Sequence, residues 1–324
     1  QETCAEGVAI ASTGATAGEE HRGTTRTVQE GIGTARHRDH RAGDRHLTRL
    51  ERKGMVCVTL SALVRAGAAP NEKSRIRGFR DNSTHGQETK ADLWTRAMVE
   101  VWMRQDELIS DPAAFIENEI KRYVATSPNN LMPSHIGGVI WDEPLVRFAD
   151  GDDAIFQEYK TIVGDFHVAP REALETHLAK VARGYHHPQK VSVISWVLPA
   201  TLETRRSLRR ETQVCSLRWN YTRWYGQETN FRLARHLVVM LEDMGFHAVA
   251  PELESWFEVR RDVANGPASR WSQRHVAYAA GLGTFGLNDG FITPKGIAVR
   301  IGSVVCDLAI PASPRRYADH TANC

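Results

Sequence analysis

The stretch AYAAGLGTFGLNDGFITPKGIAVRIGSVVCDL, Ala277–Leu308, decides how the fold is read. Within it Gly281, Gly283 and Gly286 spell G-x-G-x-x-G, the pattern of a dinucleotide-binding turn. Such a turn needs a strand before the first glycine and a helix opening at the last. Here the order is reversed. SQRHVAYAA, ahead of Gly281, sets Val276, Ala279 and Ala280 on one helical face. Behind Gly286, the run Asn288, Asp289, Gly290 signals a turn. FITPKGIAVRIGSVVCDLAI then reads as a hairpin or two strands, and no Walker-type lysine follows the glycines. The context speaks against a Rossmann site. Two uses remain for the glycines: close approach of backbone to a flat ligand, or a tight helix-to-strand turn against another element.

Upstream, helices alternate with strands. PAAFIENEIKRYV carries Ile116, Ile120, Tyr123 and Val124 at helical spacing, and LWTRAMVEVW before it has the same period. In WDEPLVRFADGDDAIFQEYKTIVG, residues Ile155, Phe156, Tyr159, Ile162 and Val163 line a helix capped by Asp152 or Asp153. PREALETHLAKVARG starts on Pro170 and stops at Gly184. KVSVISWVLP reads as a buried strand, and FHAVAP as a short one. ETNFRLARHLVVMLEDMGF is the clearest helix, with a stripe of Phe231, Ala234, Leu237, Val238, Leu241 and Met244 ended by Gly245. The expected class is α/β in the mixed α+β sense.

The chain is not uniform. Residues 1–78 hold no aromatic side chain and are rich in Gly, Thr, Arg, His and Ala. Such a segment cannot bury enough apolar surface to offset chain entropy. The expected division is therefore a low-complexity segment, 1–90, and a globular domain, 91–324. Overall, 41% hydrophobic and 25% charged residues with a net charge of +2 are ordinary for a globular protein. That charge gives no bulk drive toward nucleic acid or membrane. The five cysteines, Cys4, Cys57, Cys215, Cys306 and Cys324, form no C-x-x-C pair. Scattered thiols fit a reducing, cytoplasmic setting. No apolar run spans a bilayer and no secretory h-region is visible. A start on Gln and an end on Cys fit a fragment at both ends.

The stretch WSQRHVAYAAGLGTFGLNDGFITPKGIAVRIGSVVCDL, Trp271–Leu308, resembles a segment of the epoxyqueuosine reductase and reductive dehalogenase superfamily. The shared run is an Arg-containing helix, A-G-L-G, a Gly and Asn turn, a short strand and G-S-x-x-x-D-L. WDEPLVRFADGDDAIFQEYKTIVGDFHVAPREAL and LRWNYTRWYGQETNFRLARHL resemble uncharacterised iron–sulfur members, so the likeness covers about 136–324. The resemblance implies a nitroreductase-like domain that binds cobalamin, followed by a ferredoxin-like module with two [4Fe–4S] clusters. Cys324 of RRYADHTANC would be a first cluster ligand, and a chain that stops there lacks the partners. Without that electron input, turnover by this chain alone is not expected.

The same resemblance implies base-off cobalamin. DFHVAP begins like the D-x-H-x-x-G axial-histidine pattern, but Pro170 stands where the glycine belongs. Gly281, Gly283 and Gly286 would line the corrin, Thr293 and Ser303 would donate to its amides, and Arg274 would meet its phosphate. A proton donor is also needed. Glu228 of GQETNFRLARHL falls on the acid position of epoxyqueuosine reductases, where the relatives carry Asp. Reductive dehalogenases use a tyrosine beside a basic residue, which Tyr221 or Tyr225 with Arg223 would supply. The expected partners are an electron-donor protein and a small-molecule or tRNA-nucleoside substrate. Arg205, Arg206, Arg209 and Arg210 offer a basic patch, or simply a solvated helix face. The rival readings are a non-catalytic corrinoid-binding or trafficking module and a flavin-dependent reductase on the same scaffold.

Overall fold

In the computed structural model, the described residues are 103–181, 187–263, 266–317 and 319–324. The low-complexity segment, the histidines and arginines within it, the helix expected at LWTRAMVEVW and the stop at Gly184 lie outside them.

A four-stranded antiparallel sheet forms the centre, in the order β1-β2-β8-β3. Its strands are β1 (Leu145–Asp150), β2 (Ser192–Pro199), β3 (Ala248–Val249) and β8 (Val299–Cys306). β2 is buried at every position, which is why KVSVISWVLP reads as an unbroken apolar run. Its alternate side chains serve two cores. Ile194, Trp196 and Leu198 face one, with Val146, Phe148, Val304 and Cys306. Val193 and Val197 face the other, with Ala149, Ile301 and Val305. Burying each Val, Leu, Ile or Phe side chain among them contributes about 1.5–3 kcal/mol.

Helices cover both faces. Against the first core lie α1 (Pro112–Thr126) and the long α5 (Leu217–Asp243). Against the second lie α2 (Ile155–Ile162), α3 (Pro170–Val181) and α6 (Gln273–Ala279). The mixed α+β class expected from the sequence is what the chain adopts, with antiparallel rather than parallel strands. The short α4 (Leu202–Arg209) projects Arg205, Arg206 and Arg209 into solvent, with Arg210 just beyond it. Two-residue strands β4 (Val259–Arg260) with β5 (Ala268–Ser269), and β6 (Thr284–Phe285) with β7 (Phe291–Ile292), make two small ribbons. No helix among the described residues is long and apolar enough to cross a membrane.

Three details refine the sequence reading. α5 starts at Leu217, eleven residues before the helix read from ETNFRLARHL, so RWNYTRWYGQ is helical too, and Ser216 caps it by accepting from Trp219 N–H (3.2 Å). Its buried stripe is anchored by Leu233, Leu237, Met240 and Leu241, while Phe231, Val238 and Met244 are only partly buried. On α2, Phe156 and Tyr159 are buried but Ile162 is 58% exposed.

α1 is tied to α5 by a buried carboxylate. Glu119 takes hydrogen bonds from Arg122 Nε (3.0 Å) and Arg104 (3.4 Å), and lies 2.6 Å from His236 Nε2. Burial pushes this carboxyl up, but the bonds and charges of His236 and Arg122 outweigh it and hold the pKa at about 2. A depressed folded-state value adds stability that is present above the unfolded value of 4.5 and lost as pH falls toward 2. The full contribution is on the order of 3 kcal/mol. Thermal melts from pH 7 to pH 2 are therefore expected to converge for the native chain and Glu119→Gln at the acid end. A constant gap across that range would refute this.

Candidate active site

The N-terminal half of α5 forms one wall of a cleft of about 1020 Å³. Helical periodicity places Tyr221, Trp224, Tyr225 and Glu228 along that wall, with Asn220, Arg223 and Gln227 beside them. Tyr221 and Tyr225 stack at 5.2 Å, and Trp224 is 81% exposed at the mouth. The opposite side is made by Glu252 and Arg300. A second cleft of about 660 Å³ shares Gln227, Glu252 and Arg300 and continues past Trp271, Gln273, Arg274 and His275. The shared residues form a common floor beneath both.

α5 is held to the sheet directly under this floor. Trp196 Nε1–H donates to Asn230 Oδ1 (2.8 Å), and Asn230 Nδ2–H donates to the Ile301 carbonyl (3.2 Å). Gly302, opposite Trp196 in the sheet, leaves room for both groups: a Cβ there would meet the Trp196 ring at 2.5 Å.

Glu252 is oriented by a chain of donors whose direction is fixed at its origin. An indole can only donate, so Trp271 Nε1–H donates to Ser303 Oγ (3.0 Å). The Ser303 hydroxyl then donates to Gln273 Oε1 (2.8 Å). That turns the other end of the amide, Gln273 Nε2–H, onto Glu252 Oε2 (3.0 Å). Gln227 Nε2–H reaches Glu252 Oε1 at 3.4 Å. Burial raises the Glu252 pKa; the Gln273 bond, the Arg300 charge and the Gln227 bond oppose that rise without cancelling it. Arg300 is driven the other way, lowered by burial and by Arg223, with Glu252 opposing.

The residues singled out in the sequence are distributed as follows. Glu228, Tyr221 and Tyr225 all line the large cleft. Glu228 is half exposed and ion-paired with Arg232 at 2.8 Å, one turn along α5. Arg274 lies in the second cleft, where it donates to the Asp289 carbonyl in the turn after the glycines. The glycines make their close approaches to the protein's own chain. A Cβ on Gly281 (φ +79) would sit 2.8 Å from the Pro314 carbonyl oxygen, and one on Gly283 would sit 2.1 Å from that of Ile292. Gly286 closes the turn by donating to Gly290 O (2.7 Å). Thr293 spends its hydroxyl on the Gly296 carbonyl (2.8 Å), and Ser303 is committed to the relay. Neither hydroxyl proton is free for a ligand. Cys324 is exposed and accepts from Leu287 N–H at 3.4 Å. Among the described residues no group of three or more His, Cys, Asp or Glu could hold a metal ion.

Two histidines lie at or beside the second cleft: His275, partly buried, lines it, and His167, fully buried, packs behind Ser272 and Trp271. His167, from DFHVAP, accepts the Ser272 N–H at Nε2 (3.2 Å) and stacks on Trp271. His275 Nδ1 lies 2.7 Å from Ser272 Oγ. Burial lowers both to a pKa of about 4, so both rings are neutral at pH 7. Cys306, buried in β8, has its thiol pushed up to about 12 by the same cause and is unreactive core. Sequence reasoning missed Glu252, Gln273 and Arg300. No local motif marks them; they meet because β3, α6 and β8 converge on α5.

No protein-family model and no curated protein sequence matches the chain. Among solved structures it is similar to epoxyqueuosine reductase crystallised with an epoxyqueuosine-modified tRNA-Tyr stem loop. That similarity has a TM-score of 0.30 and 13% identity, and covers 62% of this chain and 48% of that one. The chain thus spans about half the length of that structure.

Proposed function

We propose that the chain is the corrinoid-binding, catalytic part of a reductase that cleaves a substrate bond reductively, in the manner of an epoxyqueuosine reductase or a reductive dehalogenase. The observation that carries the reading is the double cleft, bordered by an oriented, partly buried carboxyl group. The resemblance of Trp271–Leu308 supports the choice of cofactor. The large cleft alone is at the top of the roughly 300–1,000 Å³ range of drug-sized ligand sites, and a macrocycle needs more room than a drug. Its donor set also suits a corrin. Asn220 and Gln227 match peripheral amides, and Trp224 and Tyr225 offer flat apolar contact. When bound, the corrin would supply electron transfer to the substrate at cobalt. A four-iron cluster does not fit the described residues, because Cys324 is a single thiol with no companions. Electrons would come from a donor outside the described residues.

The chain's own part is to hold the substrate and supply a proton. Glu252, rather than Glu228, takes the acid role in this reading. Its Oε2 is held as an acceptor by Gln273 at 3.0 Å, whereas Oε1 takes only the longer 3.4 Å bond from Gln227 and is the atom that would carry and deliver the proton. Burial favours that protonated form. Glu228 is instead engaged by Arg232. Tyr221 and Tyr225 stay on the wall as contacts for the substrate.

Equilibrium dialysis against hydroxocobalamin tests the location. The native chain is expected to retain about one equivalent, and Asn220→Trp, which fills the cleft from its wall, to retain little. Equal retention by the folded Asn220→Trp variant would put the corrin elsewhere. A yellow chromophore on the purified chain would move the flavin-dependent reading ahead.

A further inference from the structure

The floor shared by the two clefts carries a positive charge that the protein does not neutralise. Arg300, on β8, lines both. Its Nε is buried with no hydrogen-bond partner, and among the described residues its guanidinium makes no ion pair. Arg218 and Arg270 also have an unpartnered buried Nε, but other groups answer their charge: Arg270 lies over the Trp256 ring at 5.9 Å. Arg218 pairs with Glu203 at 2.6 Å, Arg232 with Glu228 at 2.8 Å, and Arg274 is bound to the Asp289 turn. The carboxylates of the cleft cannot answer Arg300 fully, since Glu228 is taken by Arg232 and Glu252 accepts from two glutamine amides. A second guanidinium, Arg223, stands in the same cleft and repels the first.

Burying a charged group without a partner is unfavourable. An anion entering the cleft would relieve it, and the planar fork of a guanidinium suits a carboxylate or a phosphate. We propose that Arg300, with Arg223 beside it, anchors an anionic group, carboxylate or phosphate, of the molecule that occupies the cleft. Trp224 and Tyr225 then receive its apolar body. The inference rests on the cleft being the binding site, as proposed above, but not on the identity of the cofactor. The anionic group has two conceivable sources: the phosphodiester in the tail of a bound corrinoid, or the substrate itself.

Isothermal titration of the unloaded chain with inorganic phosphate, and separately with benzoate, tests this. The native chain is expected to bind one equivalent of at least one probe. Arg300→Gln is expected to weaken that binding about 10- to 100-fold, the range for a charge-assisted hydrogen-bonded contact. Arg205→Gln, on the exposed face of α4, is expected to change nothing. If Arg300→Gln does not fold, Arg300→Lys decides, because it keeps the charge and loses the fork. Binding weakened severalfold supports the anchor; unchanged binding overturns it. Repeating the titration on the corrinoid-loaded chain identifies the source. Lost probe binding assigns the anion to the cofactor, and persistent binding assigns it to the substrate. The proposal falls if the folded native chain binds neither probe, or if Arg300→Gln binds as tightly. Corrinoid retention without probe binding would sink the anchor alone. Arg300-dependent probe binding without corrinoid retention would sink the cofactor reading alone.

Discussion

Glu252→Gln is expected to slow reductive cleavage by a factor of about 10²–10⁴, the usual worth of a positioned general acid, and to leave corrinoid retention unchanged. Glutamine keeps the shape and can still accept from Gln273, but it carries no acidic proton at Oε1. Glu228→Gln, which removes only a half-exposed pair with Arg232, is expected to alter the rate severalfold at most. Single-turnover assays with titanium(III) citrate as reductant, using a halogenated phenol and the epoxyqueuosine nucleoside as substrates, compare the two. A full loss in Glu228→Gln with Glu252→Gln still active would return the acid role to Glu228. A second readout needs no substrate. Burial raises the Glu252 pKa in the folded state, so its contribution to stability is present below the unfolded value of 4.5 and lost as pH rises through the folded one. Glu252→Gln removes that loss, and its melting temperature should gain on the native chain as pH rises. This is opposite in sign to Glu119, whose folded pKa is depressed.

Gly283→Ala is expected to destabilise the fold by about 3 kcal/mol, the upper part of the usual overpacking range. The added methyl would lie 2.1 Å from the Ile292 carbonyl oxygen, a backbone atom that cannot turn aside. That atom is held by the pairing of Thr284 with Ile292 in the β6–β7 ribbon. Gly286→Ala is the control, because its nearest neighbour is the Asn288 side chain at 3.3 Å, which can give way. Urea denaturation separates the two variants. A Gly283→Ala chain of native stability that had lost its corrinoid would mean the glycine faces a ligand after all.

The sequence was most legible where one pattern dominated. β2 is apolar on both faces and β-branched, and α5 carries a long stripe, so both are legible in the sequence. β1 was not recognised. Leu145–Asp150 is short, mixes Arg147 and Asp150 with apolar residues, and runs into the turn that starts α2. The reversed context of the glycines was readable, and helix α6 followed by β6 and β7 bears it out. Which of their two uses applied was not readable, because the Ile292 and Pro314 carbonyls approach only in three dimensions. The residue types of the cleft wall, Tyr221, Arg223, Tyr225 and Glu228, were visible, but not that one helix carries them all. The cleft floor was not visible. Glu252 and Arg300 stand far apart in the chain, and the Trp271–Ser303–Gln273 relay joins two elements that only the sheet brings together. Ser303 could be read as a hydroxyl of interest, but not as the group that aims Gln273.

The central proposal is that this cleft would hold a corrinoid, base-off as the resemblance implies. The EPR spectrum of the chain, incubated anaerobically with reduced cobalamin and then desalted, tests it most directly. The account predicts a retained, near-stoichiometric base-off cobalt(II) signal without nitrogen splitting. No retained signal from a folded chain, or a signal split by a nitrogen ligand, would contradict it.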